Sequence, residues 1–101
     1  MDLTPRQTIL NACREIPRGR AINYGGLGEL CGQSGRAVGR IMASCPSDVP
    51  WWRVVAWDGS LPIAKRDPKM AELQRSHLIA EGVRFDGPRV CREYMVGSES
   101  L

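Results

Sequence analysis

The 101-residue chain has no apolar run near the roughly 18 residues that a membrane-spanning helix requires, which argues against a helical membrane span. Histidine occurs once, as His77, and the four cysteines (Cys13, Cys31, Cys45 and Cys91) include no Cys-x-x-Cys pair. The common zinc-binding patterns are therefore missing, and neither metal nor cofactor is implied. Met1-Asp2-Leu3-Thr4-Pro5 has neither the basic flank nor the apolar stretch of a secretory leader, so a cytoplasmic protein with free thiols is expected. Lysine is scarce too, occurring only as Lys65 and Lys69. Repeats, low-complexity tracts and an interdomain linker are all missing, which leaves residues 1–101 as one expected domain.

What is present is ordinary in amount and informative in place. A hydrophobic share of 43% with 25% charged residues suits a folded globular chain, so wholesale disorder is not expected. The net charge is only +3, but the basic residues are mostly arginine, and Arg14, Arg18, Arg20, Arg36, Arg40 and Arg53 fall within the first 53 residues. Arginine suits bidentate phosphate contacts and stacking better than lysine does. That footprint permits nucleic acid without requiring it.

Thr4-Pro5-Arg6-Gln7 predicts a helix start: Thr4 caps, Pro5 is preset for the first helical position, and Gln7 completes a capping box. Ile9, Leu10, Cys13 and Ile16 follow at helical spacing. Asn23 can cap a second helix reaching Cys31, a weak one because of Gly25, Gly26 and Gly28. Gly32 to Gly35 reads as a tight turn, and Arg36 to Ala43 as a third helix with Val38, Ile41 and Met42 inward, making a helix-turn-helix candidate. Cys45 to Pro50 reads as an irregular loop. Arg53–Trp57 and Ser60–Ile63 flank Asp58-Gly59, which predicts a β-hairpin. Asp67-Pro68 opens a fourth helix to about Glu81, with Gly82 as its stop and Met70, Leu73, His77 and Leu78 on one face. Short strands are expected around Asp86-Gly87-Pro88. The expected fold is mainly α with a small β-hairpin wing, a winged helix-turn-helix-like single domain.

Three stretches carry more. Ile22-Asn23-Tyr24-Gly25, Gly35-Arg36-Ala37-Val38-Gly39-Arg40 and Pro50-Trp51-Trp52-Arg53-Val54-Val55 occur in this order. Together they resemble the DNA-binding domain of O6-alkylguanine-DNA alkyltransferases from about Arg6 to Phe85. In that family the third stretch reads Pro-Cys-His-Arg-Val, and its cysteine accepts the alkyl group. Trp51 stands at the cysteine position, as in the family's alkyltransferase-like branch, and Trp52 at the histidine position. Alkyl transfer needs a thiolate beside a base, and two indoles supply neither. Glu81 matches the carboxylate that orients the histidine; without that histidine it is expected to be a surface carboxylate at a helix end.

The resemblance implies a site. It places Tyr24, Ser34, Arg36, Ala37, Gly39 and Arg40 against DNA, with Arg36 as the residue that fills the space left by a flipped nucleotide and Tyr24 pressing on the adjacent phosphate. It implies a lesion pocket of Tyr24, Trp51, Arg53, Val55 and Arg66, in which Arg66 of Lys65-Arg66-Asp67 senses the base by a cation–π contact worth on the order of 0.5–2 kcal/mol. Small Ala37 and Gly39 suit a helix pressed on the minor groove, whose degenerate code predicts little sequence preference. Core packing and phosphate grip are the plain alternatives for Tyr24 and for Lys65 with Arg66, and whether Trp52 faces the pocket is open. Cys45-Pro46 replaces the family's asparagine–proline hinge. The function implied is non-enzymatic recognition of O6-alkylguanine in double-stranded DNA, by a nucleoid-associated monomer that hands the lesion to nucleotide excision repair, with UvrA as the bacterial partner. A sequence-preferring DNA-binding regulator on the same scaffold, or an alkyltransferase using another cysteine, are the alternatives.

Overall fold

The Thr4 hydroxyl accepts a hydrogen bond from the Gln7 amide at 3.1 Å and the Gln7 side-chain oxygen accepts one from the Thr4 amide at 3.0 Å, so the expected capping box closes. The helix it starts, α1 (Pro5–Arg14), buries Ile9, Leu10 and Cys13. This computed structural model describes residues 3–46 and 48–100. The expectations for Met1 and Asp2, and for Ser47 in the irregular loop, lie outside the described residues.

After α1 the chain enters strand β1 (Ala21–Asn23) and passes directly into helix α2 (Tyr24–Cys31), capped by the Asn23 side chain on the Gly26 amide at 2.7 Å. Gly32 ends α2 in the left-handed region at φ 71°, which favours glycine. Ser34 then caps helix α3 (Gly35–Met42), one residue earlier than the sequence pattern placed it. Val38 is buried, and Ile41 and Met42 pack against the same core. The two helices meet closely because Gly28 has no side chain: a Cβ there would run into the Gln33 carbonyl. Since the obstacle is backbone, Gly28→Ala is expected to destabilise the domain by about 1–3 kcal/mol, read as a lowered urea midpoint.

The predicted hairpin around Asp58-Gly59 does not form. Only Val54–Val55 is a strand (β2), and it pairs in parallel with β1, Ile22 opposite Val54 and Asn23 opposite Val55. Asp58-Gly59 still makes a tight turn, in which Asp58 Oδ1 accepts from the Ser60 amide at 3.0 Å and its hydroxyl at 2.6 Å. Beyond it Pro62, which lacks an amide to donate to a ladder, begins a 3₁₀ turn (Pro62–Lys65) instead of a second strand. The turn docks on the chain's tail: Val90 donates to the Gly59 carbonyl at 2.8 Å. The antiparallel hairpin lies later, between β3 (Phe85–Asp86) and β4 (Arg89–Val90), with Gly87 at φ 60° in its two-residue loop. The last strand, β5 (Met95–Val96), pairs with β1 and completes a parallel sheet of order β2-β1-β5.

Alternation along these short strands divides the interior. Ile22 and Val54 join the core formed with α1, α2 and α3; Ala21 and Val55 join a second core with Leu78, Val83 and Val90. Helix α4 (Pro68–Ala80) is capped by Asp67 and buries Ala71, Gln74 and Leu78. This corrects the expected face: Leu73 is 46% exposed, and a polar Gln74 sits inside in its place. The whole is mainly α with one small β-hairpin, as the sequence pattern indicated.

Candidate functional site

A cleft of about 410 Å³ opens between α3, the start of α2 and the segment that leads into α4. Tyr24 of α2, Gly39 and Met42 of α3, Trp51 and Val54, and Ile63 and Arg66 all line it. The lining is thus mostly apolar and aromatic, with the Tyr24 phenol, the Arg66 guanidinium, Lys65 and Gln74 as its polar groups, a composition suited to a flat ligand. Burial pushes the Tyr24 phenol above its ordinary pKa, and the nearby positive charge of Arg66 offsets this only in part. At neutral pH the phenol is therefore a neutral hydrogen-bond donor.

On α3, Arg36 and Arg40 are exposed, four residues apart and so on one face. Gly39 beside them leaves open space: no atom lies within 4 Å of where its Cβ would stand. Ala37 is half-buried, and Ser34, although exposed, uses its hydroxyl to cap α3 through the Ala37 amide at 3.1 Å. The fold therefore brings Tyr24, Gly39, Trp51 and Arg66 to one cleft and sets Arg36 and Arg40 on the exposed face of the helix that borders it.

Two expected pocket residues lie elsewhere. Val55 points to the opposite face of the sheet and is fully buried in the second core, because strand alternation sends its neighbour Val54 to the cleft. Arg53 is turned inward, its side chain 13% exposed, and pairs with Glu81 at 2.7 Å. Glu81 in turn corrects the expected surface carboxylate. Its side chain is 5% exposed and accepts from Arg53 Nε at 3.0 Å, from the Gly19 amide at 2.9 Å and from Trp52 Nε1 at 2.8 Å. Burial alone would push this carboxyl up; the donors from Arg53, Gly19 and Trp52, with the Arg53 charge, outweigh it and hold the pKa below the usual carboxylate value. Trp52 is consequently the missing partner: an indole N–H meets the carboxylate where the family motif has histidine.

The ring of Trp52 stacks on His77, centroids 4.1 Å apart and planes 13° from parallel. Trp51 meets both rings edge-on, at 6.0 Å from Trp52 and 6.2 Å from His77. Gln74, 3% exposed, donates through Nε2 to the Trp52 and Val54 carbonyls at 3.2 and 3.0 Å, bracing the backbone beside the cleft it also lines. Gln74 was missed in the sequence because a glutamine interrupts an apolar pattern; its spacing from Ala71 and Leu78 was the available signal.

None of the cysteines lines the cleft. Burial, with a smaller contribution from Cys45, raises the Cys13 pKa to about 12, and burial also raises those of Cys31 and Cys45. These three are thiols, not thiolates, at neutral pH, which is the state least able to accept an alkyl group.

Residues 4–83 match the model of the 6-O-methylguanine DNA methyltransferase DNA-binding domain. A Vibrio parahaemolyticus protein named DNA base-flipping protein is 32% identical over 92 residues, spanning 85% of this chain and 89% of its own length. Among solved structures, Schizosaccharomyces pombe Atl1 in complex with DNA containing O6-carboxymethylguanine superposes with a TM-score of 0.78 at 28% identity, over 95% of this chain and 98% of Atl1. The Mycobacterium tuberculosis O6-methylguanine methyltransferase superposes at 0.65 with 26% identity, over 80% of this chain but half of that enzyme.

Proposed function

Because the chain belongs to the family of the 6-O-methylguanine DNA methyltransferase DNA-binding domain, on its alkyltransferase-like branch, and carries Trp51 at the acceptor position, we propose that it recognises O6-alkylguanine in duplex DNA by base flipping and does not repair it. The observation that carries this reading is Trp51 lining the same cleft as Tyr24 and Arg66, with no thiol among the lining residues.

In this reading α3 lies in the minor groove, Gly39 permitting close approach and Arg36 occupying the vacated position in the stack. Unstacking a nucleotide costs roughly a few kcal/mol, which the cleft must offset. Trp51 contributes apolar contact to the alkyl group and Arg66 a cation–π contact to the base. The complex persists because nothing in the cleft reacts, and a persistent complex serves as a mark. Hand-over to nucleotide excision repair, through a damage sensor such as UvrA, is the consequence we attach to it, with the protein acting as a monomer.

The test is binding to two duplexes identical except for one guanine, plain or O6-methylated, at one fixed salt concentration, since phosphate contacts alone move affinity by orders of magnitude. Tighter binding to the methylated duplex is expected. Arg36→Ala should abolish the difference and Trp51→Ala reduce it. Equal binding of both duplexes by the native chain overturns the proposal, and a dependence on flanking sequence instead would favour a regulator.

A further inference from the structure

Trp52 is held at both ends. Its indole N–H donates to Glu81 Oε2 at 2.8 Å, and its backbone carbonyl accepts from the buried Gln74 amide at 3.2 Å. Glu81 cannot follow a moving ring, because Arg53 and the Gly19 amide grip the same carboxylate, and Arg53 is itself tied to the Ile16 carbonyl at 2.9 Å. On the other side the ring lies flat against His77. The edge-on contacts of Trp51 are to these two rings, so the Trp51 wall of the cleft rests on a part that is fixed by a buried ion pair.

We infer that Trp52, clamped by Glu81 and backed by His77, is a positioning residue that holds Trp51 as a rigid wall and so sets how sharply the cleft distinguishes alkylated from plain guanine. This rests on the lesion-recognition reading above. The carboxylate and its ring partner do no proton transfer here: an indole N–H has no basic nitrogen to offer, so the pair acts as a brace. A side chain already in its bound geometry avoids the ordering loss that a loose one incurs on each binding event, and for one large side chain that loss corresponds to roughly three- to tenfold in affinity. Plain duplex, whose guanine stays in the stack, does not use the wall and gains nothing from it.

The experiment compares the ratio of plain to O6-methylguanine duplex dissociation constants in the native chain, Trp52→Phe and Trp52→His at one salt concentration. Trp52→Phe keeps a ring against His77 and leaves the Arg53–Glu81 pair in place, but removes the N–H. Its ratio should fall roughly three- to tenfold while binding to plain duplex is unchanged. Trp52→His returns a donor to Glu81 and should recover most of the ratio. A Trp52→Phe ratio equal to the native one, or equal loss on both duplexes, overturns the inference and leaves lesion recognition standing. A native chain that binds the duplexes alike overturns both. Should Trp52→Phe fail to fold, hydrogen exchange in the native protein decides: the Trp52 indole N–H must exchange as slowly as core amides, and exchange at the rate of the exposed Trp57 indole would overturn the brace.

Discussion

A chain carrying Trp51→Cys and Trp52→His together is expected to take the methyl group from O6-methylguanine in duplex DNA, about 10²–10⁴ times faster than Trp51→Cys alone. The argument is geometric. Residue 51 lines the cleft, and residue 52 presents its ring N–H to Glu81 at 2.8 Å. An imidazole introduced there can give one ring N–H to Glu81 and keep its second nitrogen free as the base that the indole lacks. The base takes the proton of the introduced thiol. The thiolate attacks the methyl carbon, an S–C bond forms, the O6–C bond breaks, and the leaving guanine regains a proton from the imidazolium. Trp51→Cys alone has a nucleophile without that base. Single-turnover transfer of labelled methyl to protein checks the prediction. Equal rates in the single and double variants would mean that Glu81 cannot orient an imidazole, and no transfer in either would mean that the base does not reach residue 51.

Glu81→Ala should be the most destabilising single change at the site, by about 3–5 kcal/mol. It leaves the Arg53 guanidinium, 13% exposed, with its charge uncompensated, and strips acceptors from the Trp52 indole and the Gly19 amide. Against a total stability on the order of 5–15 kcal/mol this is a large share, visible as a Tm lower by at least roughly 12 °C. Replacing both members, Arg53→Met with Glu81→Leu, should recover much of the loss, because no charge is then stranded. The same carboxylate gives a pH signature. Its pKa is lower in the folded chain than its ordinary value of 4.5, so folding favours the ionised form. The stability it contributes is complete above pH 4.5 and is lost as the pH falls below that value and through the folded pKa. In acid denaturation the native chain should lose this component below pH 4.5, and Glu81→Gln should lack it.

The chain's local chemistry was legible in its residues. Thr4, Asn23 and Asp67 each cap the helix that follows, because a short side-chain oxygen next to unpaired amides is a local event that requires no distant partner. Gly32 and Gly82 mark helix ends at positive φ for the same reason. The hairpin was misplaced where local signals competed. Asp58-Gly59 has the right turn chemistry, but Val54 and Val55 gain more by lying against β1, and Pro62 denies the opposite strand a donor.

The site divides along the same line. The amino-acid sequence by itself determined that residue 51 carries no thiol and residue 52 no base, the two groups that alkyl transfer uses. It also determined the order of motifs that leads to Tyr24, Arg36 and Arg66. Only the tertiary structure decided where Glu81 goes. Removed from a histidine partner it read as a surface group, yet the turn before β1 and the segment leading into β2 bring the Gly19 amide, Arg53 and the Trp52 indole to Glu81 at the end of α4. A carboxylate among several converging donors is better placed there than in water, and no sequence pattern encodes that convergence, since its members are up to 62 residues apart. The same is true of Arg53 and Val55, whose inward positions follow from the ion pair and from the register of a two-residue strand.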